Sequence, residues 1–534
     1  MKDNKLFIFY IFITFGLIAV LFSTPFLRYP FDMFYHLIVI DDLYNKLVHP
    51  IEKLTGIWTN GMFVMIPTGE HEEIVLAKGR FIWHYGWAYL FYLLEIDSTQ
   101  IILRAKIIHV IQTWISLFSI YYFSNVVIRN IFKGIDGLTL KCISLWSLLI
   151  WITIFATFSQ TYQQVWMMWY SINYQITLPL FWYMLGLTIV LFLEVTSWKI
   201  KLFFTLQILI LSRFILQAHS MEFLYYLMHL AIFSLIFIDK IYFIFKKYFY
   251  LLIPMLVAII YIAKHYQPEH SPLLTYLSIE KLPALYSKIM ESGLWLLNGH
   301  NRAYASINEL IYFILYFSIF FILYLLWKKY RKIESNINIR VLFFVLLGSL
   351  FVLIPLYQFS GGLFSMITRM NVVNRFYYSA TIFVLIPIFT YAIFTHYKLR
   401  YTNTFIAFTV ITVAIFSKYS NVMNHNYYHN LHSIKNSFKE QKVGFNLSEK
   451  QIQTIKEKVQ FYEHNNTPQK AIKYYARADI AFVLKYMYKK NVHWEGRFGG
   501  MNYKKNYNQH KDNQTFQHIL FEIPDGFPSF VPYK

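Results

Sequence analysis

After Met-Lys-Asp-Asn-Lys the chain reads LFIFYIFITFGLIAVLFSTPFL over residues 6–27, then FDMFYHLIVIDD over residues 31–42. The first stretch is uncharged and as long as the ~20 apolar residues a helix needs to cross a bilayer core. Its apolar core exceeds the ~7–15 residues of a signal peptide and no A-x-A-like cleavage site follows, so it reads as an uncleaved first span. The second stretch sets Asp32, Asp41 and Asp42 within eleven residues directly behind that span. Carboxylates at a membrane boundary are costly unless solvated or used. The cluster is therefore the first place to look for chemistry.

Working outward, the composition agrees. Of 534 residues, 57% are hydrophobic and 20% aromatic, and only 14% are charged, against about 25% in a soluble protein. The net charge of +21 is read as basic residues gathered in short cytoplasmic loops facing anionic lipid, not as a nucleic-acid interface. The abundant Phe and Tyr suit interfacial belts. A single cysteine, Cys142, excludes an intrachain disulfide and a cysteine-cluster metal site.

Apolar runs of membrane length predict an all-α polytopic protein with about eleven transmembrane helices. They fall near 6–27, 107–128, 139–157, 175–194, 201–218, 222–238, 248–263, 309–327, 340–357, 377–395 and 402–417. The stretch 81–96 is apolar but short and reads equally as an interfacial or re-entrant helix. Every second loop is short and basic: Arg129, Lys133 and Lys141; Lys199 and Lys201; Lys240, Lys246 and Lys247; Lys328 to Arg340; Lys398 and Arg400. The positive-inside rule puts these loops and the N-terminus in the cytoplasm. The first external loop, 28–106, and the C-terminus then lie outside. Residues 1–417 form the membrane domain. Residues 418–534, rich in Lys, Asn, His and Gln, form a small extracytoplasmic domain, α+β or helical, with helical patterning at 447–463 and 470–489. The triplets at Asn446, Asn465 and Asn513 would matter only in a secretory compartment. The expected location is the cell inner (plasma) membrane, multi-pass.

The polar residues with chemical potential all fall on the expected outer side. Asp32 and His36 share a face if their segment is helical, and a carboxylate there suits removal of a proton from an attacking hydroxyl, worth about 10²–10⁴ in rate. The plainer account is that Asp32 caps a helix while Asp41 and Asp42 solvate a loop. In AKGRFIWHYGW, 77–87, Arg80 suits a phosphate and His84 lies four residues on; an interfacial anchor explains the pair equally. Trp169, Asn173 and Tyr174 suit a sugar platform or, more plainly, an aromatic belt. His219 and Glu222 occupy the tight turn QAHSMEF, 217–223. Arg302, Arg369 and Arg375 suit a phosphate or merely snorkel to headgroups. His425, His429 and His432 share a helical spacing, but zinc needs converging ligands in a held geometry, and no metal site is assigned. The chain contains no Walker, GxGxxG, GxSxG or HExxH motif, which disfavours nucleotide-driven chemistry on the cytoplasmic side.

With those residues placed, the membrane part resembles the GT-C superfamily of polytopic glycosyltransferases, whose members carry catalytic acids in the first external loop. Pro30 to Leu37 looks like the start of that loop, and Ile40-Asp41-Asp42-Leu43-Tyr44 offers a second match. Gly79–Arg80, the Trp169…Asn173-Tyr174…Pro179 stretch and Glu222 match further features of bacterial members. Met33 departs from the pattern, occupying the place of a second acid, so both Asp32 and the Asp41–Asp42 pair stand as counterparts of the catalytic acid. The resemblance implies an inverting transferase that takes a sugar from a polyprenyl-phosphate donor and passes it to an envelope glycan, lipid or protein at the outer face. Asp32, Asp41, Asp42 and Glu222 would be catalytic, and the histidines, arginines and aromatic residues named above would bind substrate. Some members use a divalent metal ion and others none. Two rivals remain: an oligosaccharide polymerase or ligase acting on a pyrophosphate-linked glycan, and a non-enzymatic lipid or glycan transporter, for which broken helices and inverted repeats would be expected.

Overall fold

A computed structural model describes residues 9–20, 37, 40–41, 43–44, 63–68, 71–76, 81–157, 176–218, 220–247, 282–299, 337–351, 358–367, 379–396, 442–444, 447–465, 471–493, 503–512 and 516–522. The described chain is predominantly helical. Helix α1 spans Phe9–Val20. A hairpin of β1 (Phe63–Thr68) and β2 (His71–Leu76) precedes α2 (Phe81–Leu93), α3 (Ile101–Ile131), α4 (Gly137–Thr157), α5 (Leu178–Leu193), α6 (Trp198–Ala218), α7 (Ser220–Ile236) and α8 (Ile238–Lys247). Then follow α9 (Leu282–Gly299), α10 (Ile339–Ser349), α11 (Gln358–Ile367) and α12 (Ile382–His396).

Helix α3 is the axis of the bundle, packed by α4, α5, α10 and α12, while α7 closes against α5 and α10. Its inward side chains join those of the neighbouring helices in one large core that includes Phe123, Trp151, Trp182, Phe344 and Phe383. Pro179 lies in the first turn of α5, where the missing N–H costs nothing because that turn has no partner for it. Two glycines permit close crossings. A Cβ on Gly186 would stand 3.0 Å from the Tyr122 ring, and one on Gly348 would stand 2.9 Å from Thr381 Oγ1.

Large apolar side chains also face outward. Phe9, Phe12, Ile13 and Leu17 of α1 and Leu202, Phe203, Leu206, Leu209 and Ile210 of α6 are exposed, and contiguous exposed apolar side chains mark a contact surface. Among the described residues, only α3 is both long and apolar enough to cross a bilayer, and half of its apolar stretch is buried. Beyond α3, the described residues hold six shorter apolar helices, within α1, α4, α5, α7, α10 and α12, so the expected count of about eleven spans is not confirmed. Residues 248–263, 309–327 and 402–417 lie outside the described residues, and α5 and α10 have only 16 and 11 residues, about 24 and 16 Å at 1.5 Å per residue. Helix α2 resolves the ambiguous stretch 81–96 as a 13-residue helix, too short to span. Helix α3 starts at Ile101, so the last residues of the expected loop 28–106 are helical.

Among the described residues, the segments around Arg129, Glu194, Asp239 and Arg340 meet at one end of the bundle. There Arg129 grips Glu194 through two bonds of 2.8 and 2.7 Å, with Asn130 donating to the same carboxylate at 2.6 Å. Arg340 donates to Asp239 at 2.8 Å, and the Asn338 N–H donates to the Ile131 carbonyl at 2.7 Å.

At the other end lies a second hydrophobic cluster. It joins Leu37, Ile40, Leu43 and Tyr44 with Trp83, Phe91, Ile101, Ile108, Ile176 and Ala218, and with Ile455, Val459, Tyr474 and Leu484 of the C-terminal unit. That unit holds β3 (Lys442–Gly444), β4 (Leu447–Ser448), α13 (Glu449–His464), β5 (Ile472–Ala476), α14 (Ala478–Tyr486), α15 (Tyr503–His510) and β6 (Gln517–Phe521). Strand β5 is central: it pairs in parallel with β6, Tyr474 opposite Ile519, and bridges in parallel to Val492 on its other side. Tyr474 and Ala476 pack with α13 and α14 residues, whereas Tyr475 faces Tyr507 of α15, as strand alternation requires. A capping box starts α13: Gln451 N–H donates to Ser448 Oγ at 3.3 Å and Ser448 N–H to Gln451 Oε1 at 2.7 Å. The expected helix over 470–489 is corrected to a strand followed by a helix. Ile-Lys-Tyr-Tyr-Ala is buried over four of its five residues, and β-branched and aromatic residues favour a strand there. An entirely α description therefore does not hold for this unit.

Candidate functional site

The acid-bearing segment contributes Leu37, Ile40, Asp41, Leu43 and Tyr44, all helical and all buried. Positions 37, 40, 41 and 44 follow the i, i+3, i+4, i+7 spacing of a single helix face. Asp41 falls on the packing face, at 4% exposure. The plainer expectation that it solvates a loop does not describe it.

Its partner is Arg104, in the first turn of α3. Arg104 NH1 donates to Asp41 Oδ1 at 2.6 Å, with the guanidinium side chain fully buried. Nε and NH2 both donate to the Ile96 carbonyl, at 3.0 and 2.5 Å. The guanidinium carbon lies 4.0 Å from the Tyr44 ring centre and 5.3 Å from that of Phe91, a cation–π setting. Just beyond Ile96, Asp97 caps the 3₁₀ turn Ser98–Gln100 by accepting from the Thr99 N–H at 2.8 Å. The Thr99 hydroxyl and N–H bonds hold the Asp97 carboxyl below its ordinary range. The turn that positions Arg104 is therefore itself pinned.

Helix α2 lies alongside. The Trp83 indole N–H donates to Gln112 Oε1 at 2.7 Å. His84, 1% exposed, sits edge-on to Trp83 with ring centres 4.8 Å apart. Trp87 and Phe91 stack at 6.0 Å, which ties this aromatic run to the residue flanking Arg104. Below Arg104, α3 carries His109, Gln112, Thr113 and Ser116, all buried, at helical spacings that make one polar row into the bundle. Glu222, 2% exposed, lies in the first turn of α7, next to the end where Ala218 joins the second cluster.

Of the residues singled out from the sequence, Asp41, His84 and Glu222 are described. Asp41 and His84 border the same cluster, and Glu222 stands at the same end of the bundle. Asp32, His36, Asp42, Arg80, Trp169, Asn173, Tyr174, His219, Arg302, Arg369 and Arg375 lie outside the described residues, as do His425, His429 and His432. Among the described residues, no group of three or more His, Cys, Asp or Glu side chains is arranged to hold a metal ion.

Sequence reasoning missed Arg104, Tyr44 and Gln112. Arg104 had a readable signal: IILRAKII, 101–108, embeds two cations in an apolar run, and an ionisable group in such a run is a functional candidate. Gln112 had a weaker one, a lone amide in an apolar stretch.

What this arrangement can do is hold a carboxylate in a fixed orientation against a buried guanidinium, beside aromatic rings and above the buried polar row of α3. No protein-family model and no curated protein matches the chain.

Proposed function

We propose that this protein is a membrane glycosyltransferase of GT-C type, which moves a sugar from a polyprenyl-phosphate donor to an envelope glycan, lipid or protein acceptor at the outer face of the cell membrane. The observation that carries the proposal is Asp41. An acid of the cluster behind the first apolar run is buried on a helix face and ion-paired to Arg104, whose guanidinium lies against the Tyr44 and Phe91 rings. A surface loop acid has no use for that environment, whereas a transferase needs a carboxylate fixed against its substrate.

Three further features support the reading. The outward apolar side chains of α1 and α6 suit contact with lipid tails. Among the described residues, Arg129 and Arg340 sit at one end of the bundle, and the buried residues around Asp41 share the opposite end with the C-terminal unit, an arrangement that suits an outer catalytic face under the positive-inside rule. Aromatic rings near the acid, Trp83, Trp87 and Phe91, suit the apolar faces of a sugar or a polyprenyl chain.

In the proposed reaction a carboxylate takes the proton of the acceptor hydroxyl as its oxygen bonds to the anomeric carbon. The bond from that carbon to the donor phosphate breaks, and the electron pair leaves on the polyprenyl phosphate. The test uses purified protein in nanodiscs with radiolabelled polyprenyl-phosphate hexoses or pentoses and a lipid extract as acceptor. Addition of single sugars supports the proposal, and long repeats would point to a polymerase. Transfer undiminished in Asp32→Asn, Asp41→Asn and Asp42→Asn alike would overturn it.

A further inference from the structure

We infer, on the membrane reading above, that the start of α6 and helix α8 form a docking surface for anionic phospholipid headgroups, with α8 lying in the plane of the membrane surface. The transfer reaction itself is not needed for this surface to exist.

Both segments were expected to be short basic loops, and both are helical. Trp198 to Lys201 make the first turn of α6, and Ile238–Lys247 is a helix of ten residues. At 1.5 Å per residue it is about 15 Å long, too short to cross a bilayer core. Phe237 separates it from α7 and opens it: the Lys240 and Ile241 N–H groups both donate to the Phe237 carbonyl. Ile238, Tyr242 and Lys246 recur every four residues, so they form one row on an exposed side. Ile238 is 61% and Tyr242 67% exposed. On α6, Trp198 is 68% exposed, with Lys199, Ile200 and Lys201 exposed beside it. Both segments thus set an exposed aromatic ring and an exposed aliphatic side chain among lysines. That combination suits the headgroup level, with the apolar bodies toward the acyl chains and the cations toward phosphate.

Charge decides the class of lipid. Glu194, just before α6, and Asp239, inside α8, are the acids of these segments, and arginines hold both. Glu194 accepts from Arg129 and Asn130, and both oxygens of Asp239 accept from Arg340, at 2.8 and 2.9 Å. Among the described residues, no ion pair takes up Lys199, Lys201, Lys240 or Lys246. The Lys240 ammonium instead stands 5.9 Å from the ring centres of Phe192 and of Phe237, which holds α8 beside the end of α5. Four cations therefore face outward without a counter-charge from these segments. A zwitterionic surface would meet the apolar row but leave those cations uncompensated, whereas an anionic headgroup layer matches both, each lysine near it being worth roughly a fivefold preference.

The test uses the full-length protein in nanodiscs, with Cys142→Ser and one introduced cysteine carrying a fluorophore. With the label at Tyr242→Cys, phosphatidylglycerol bearing a nitroxide high on its acyl chain should quench about fivefold more strongly than the matching phosphatidylcholine. Replacing Lys199, Lys201, Lys240 and Lys246 by Gln should bring the two lipids to parity while the label stays quenched, since Ile238 and Trp198 remain. The pair Lys240→Gln/Lys246→Gln carries the test, with partial loss of the preference, should the fourfold variant fail to fold. Raising the salt should erode the preference too, because screening shortens to about 3 Å at 1 M. Equal quenching by the two lipids in the lysine-bearing protein would overturn the selection for anionic headgroups. A Tyr242→Cys label reached only by a water-soluble quencher would overturn the placement of α8. A label at Leu209→Cys, on the exposed side of α6, separates that result from failure of the membrane reading. Quenching by lipid at Leu209 but not at Tyr242 defeats the docking surface alone, and quenching by lipid at neither defeats the membrane reading with it.

Discussion

The Trp83 indole N–H donates to the side-chain oxygen of Gln112 at 2.7 Å, joining α2 to the middle of α3. Both side chains are buried, so neither can exchange this bond for water. Gln112→Leu would leave a buried donor on Trp83, a loss of about 1–3 kcal/mol. Trp83→Phe would likewise remove this bond to the amide. The double variant Trp83→Phe/Gln112→Leu should be closer to wild type than the sum of the two singles. Thermal melts in detergent check the cycle, and strictly additive losses would show that the bond does not couple the helices.

Gly348 marks the crossing of α10 with α7 and α12. A Cβ there would lie 2.9 Å from Thr381 Oγ1, 3.1 Å from Thr381 Cγ2 and 3.2 Å from His229 Nε2. Thr381 cannot easily retreat, because its hydroxyl also donates to the Val345 carbonyl and contacts Ser349 Oγ at 3.1 Å. Gly348→Ala should therefore destabilise the bundle by about 1–3 kcal/mol, the range for overpacking a filled core. Adding Thr381→Ala should recover part of the loss in the same melting assay. A Gly348→Ala protein as stable as wild type would mean that α10 shifts freely.

Sidedness is open to direct test because the chain has one cysteine, Cys142, which is replaceable by serine. In that background, Gln453→Cys on the exposed face of α13 should react with a membrane-impermeant maleimide in whole cells. Lys199→Cys, at the start of α6, should react only after lysis. The opposite pattern would invert the proposed orientation and put the acid segment on the cytoplasmic side.

Much of the helical organisation was legible, since apolar runs at 139–157, 201–218 and 222–238 meet helices at nearly the same residues. The strand at 472–476 was not. Its residues, Ile-Lys-Tyr-Tyr-Ala, run into a helix two residues later, and a short run buried on both faces has no period to separate it from helix. At the candidate site, Asp41 was visible as a member of an acid cluster, but its inward direction was not. That direction depends on Arg104, 63 residues away, and on a turn pinned by Asp97. Long-range ion pairs leave no local pattern, whereas a cation inside an apolar run does, and Arg104 was readable on that ground alone.

Two exposed caps give the protein an acid-sensitive component. Asp97 accepts from the Thr99 N–H and hydroxyl before α3, and Asp136 accepts from the Leu138 and Thr139 N–H groups at the start of α4. The side-chain bonds of Thr99 and Thr139 respectively lead in holding each carboxyl below the ordinary aspartate value of 3.8. The folded state therefore prefers the carboxylate more strongly than the unfolded chain does. By linkage this stability is fully present above pH 3.8 and is lost as pH falls through the lower folded values. Asp97→Asn and Asp136→Asn should each lower the melting temperature modestly at pH 6, and by progressively less as pH falls below 3.8 and the wild-type caps take up protons. Melting curves of the three proteins across that range provide the check, and a wild-type-to-variant gap that widened on acidification would contradict the assigned role of the caps.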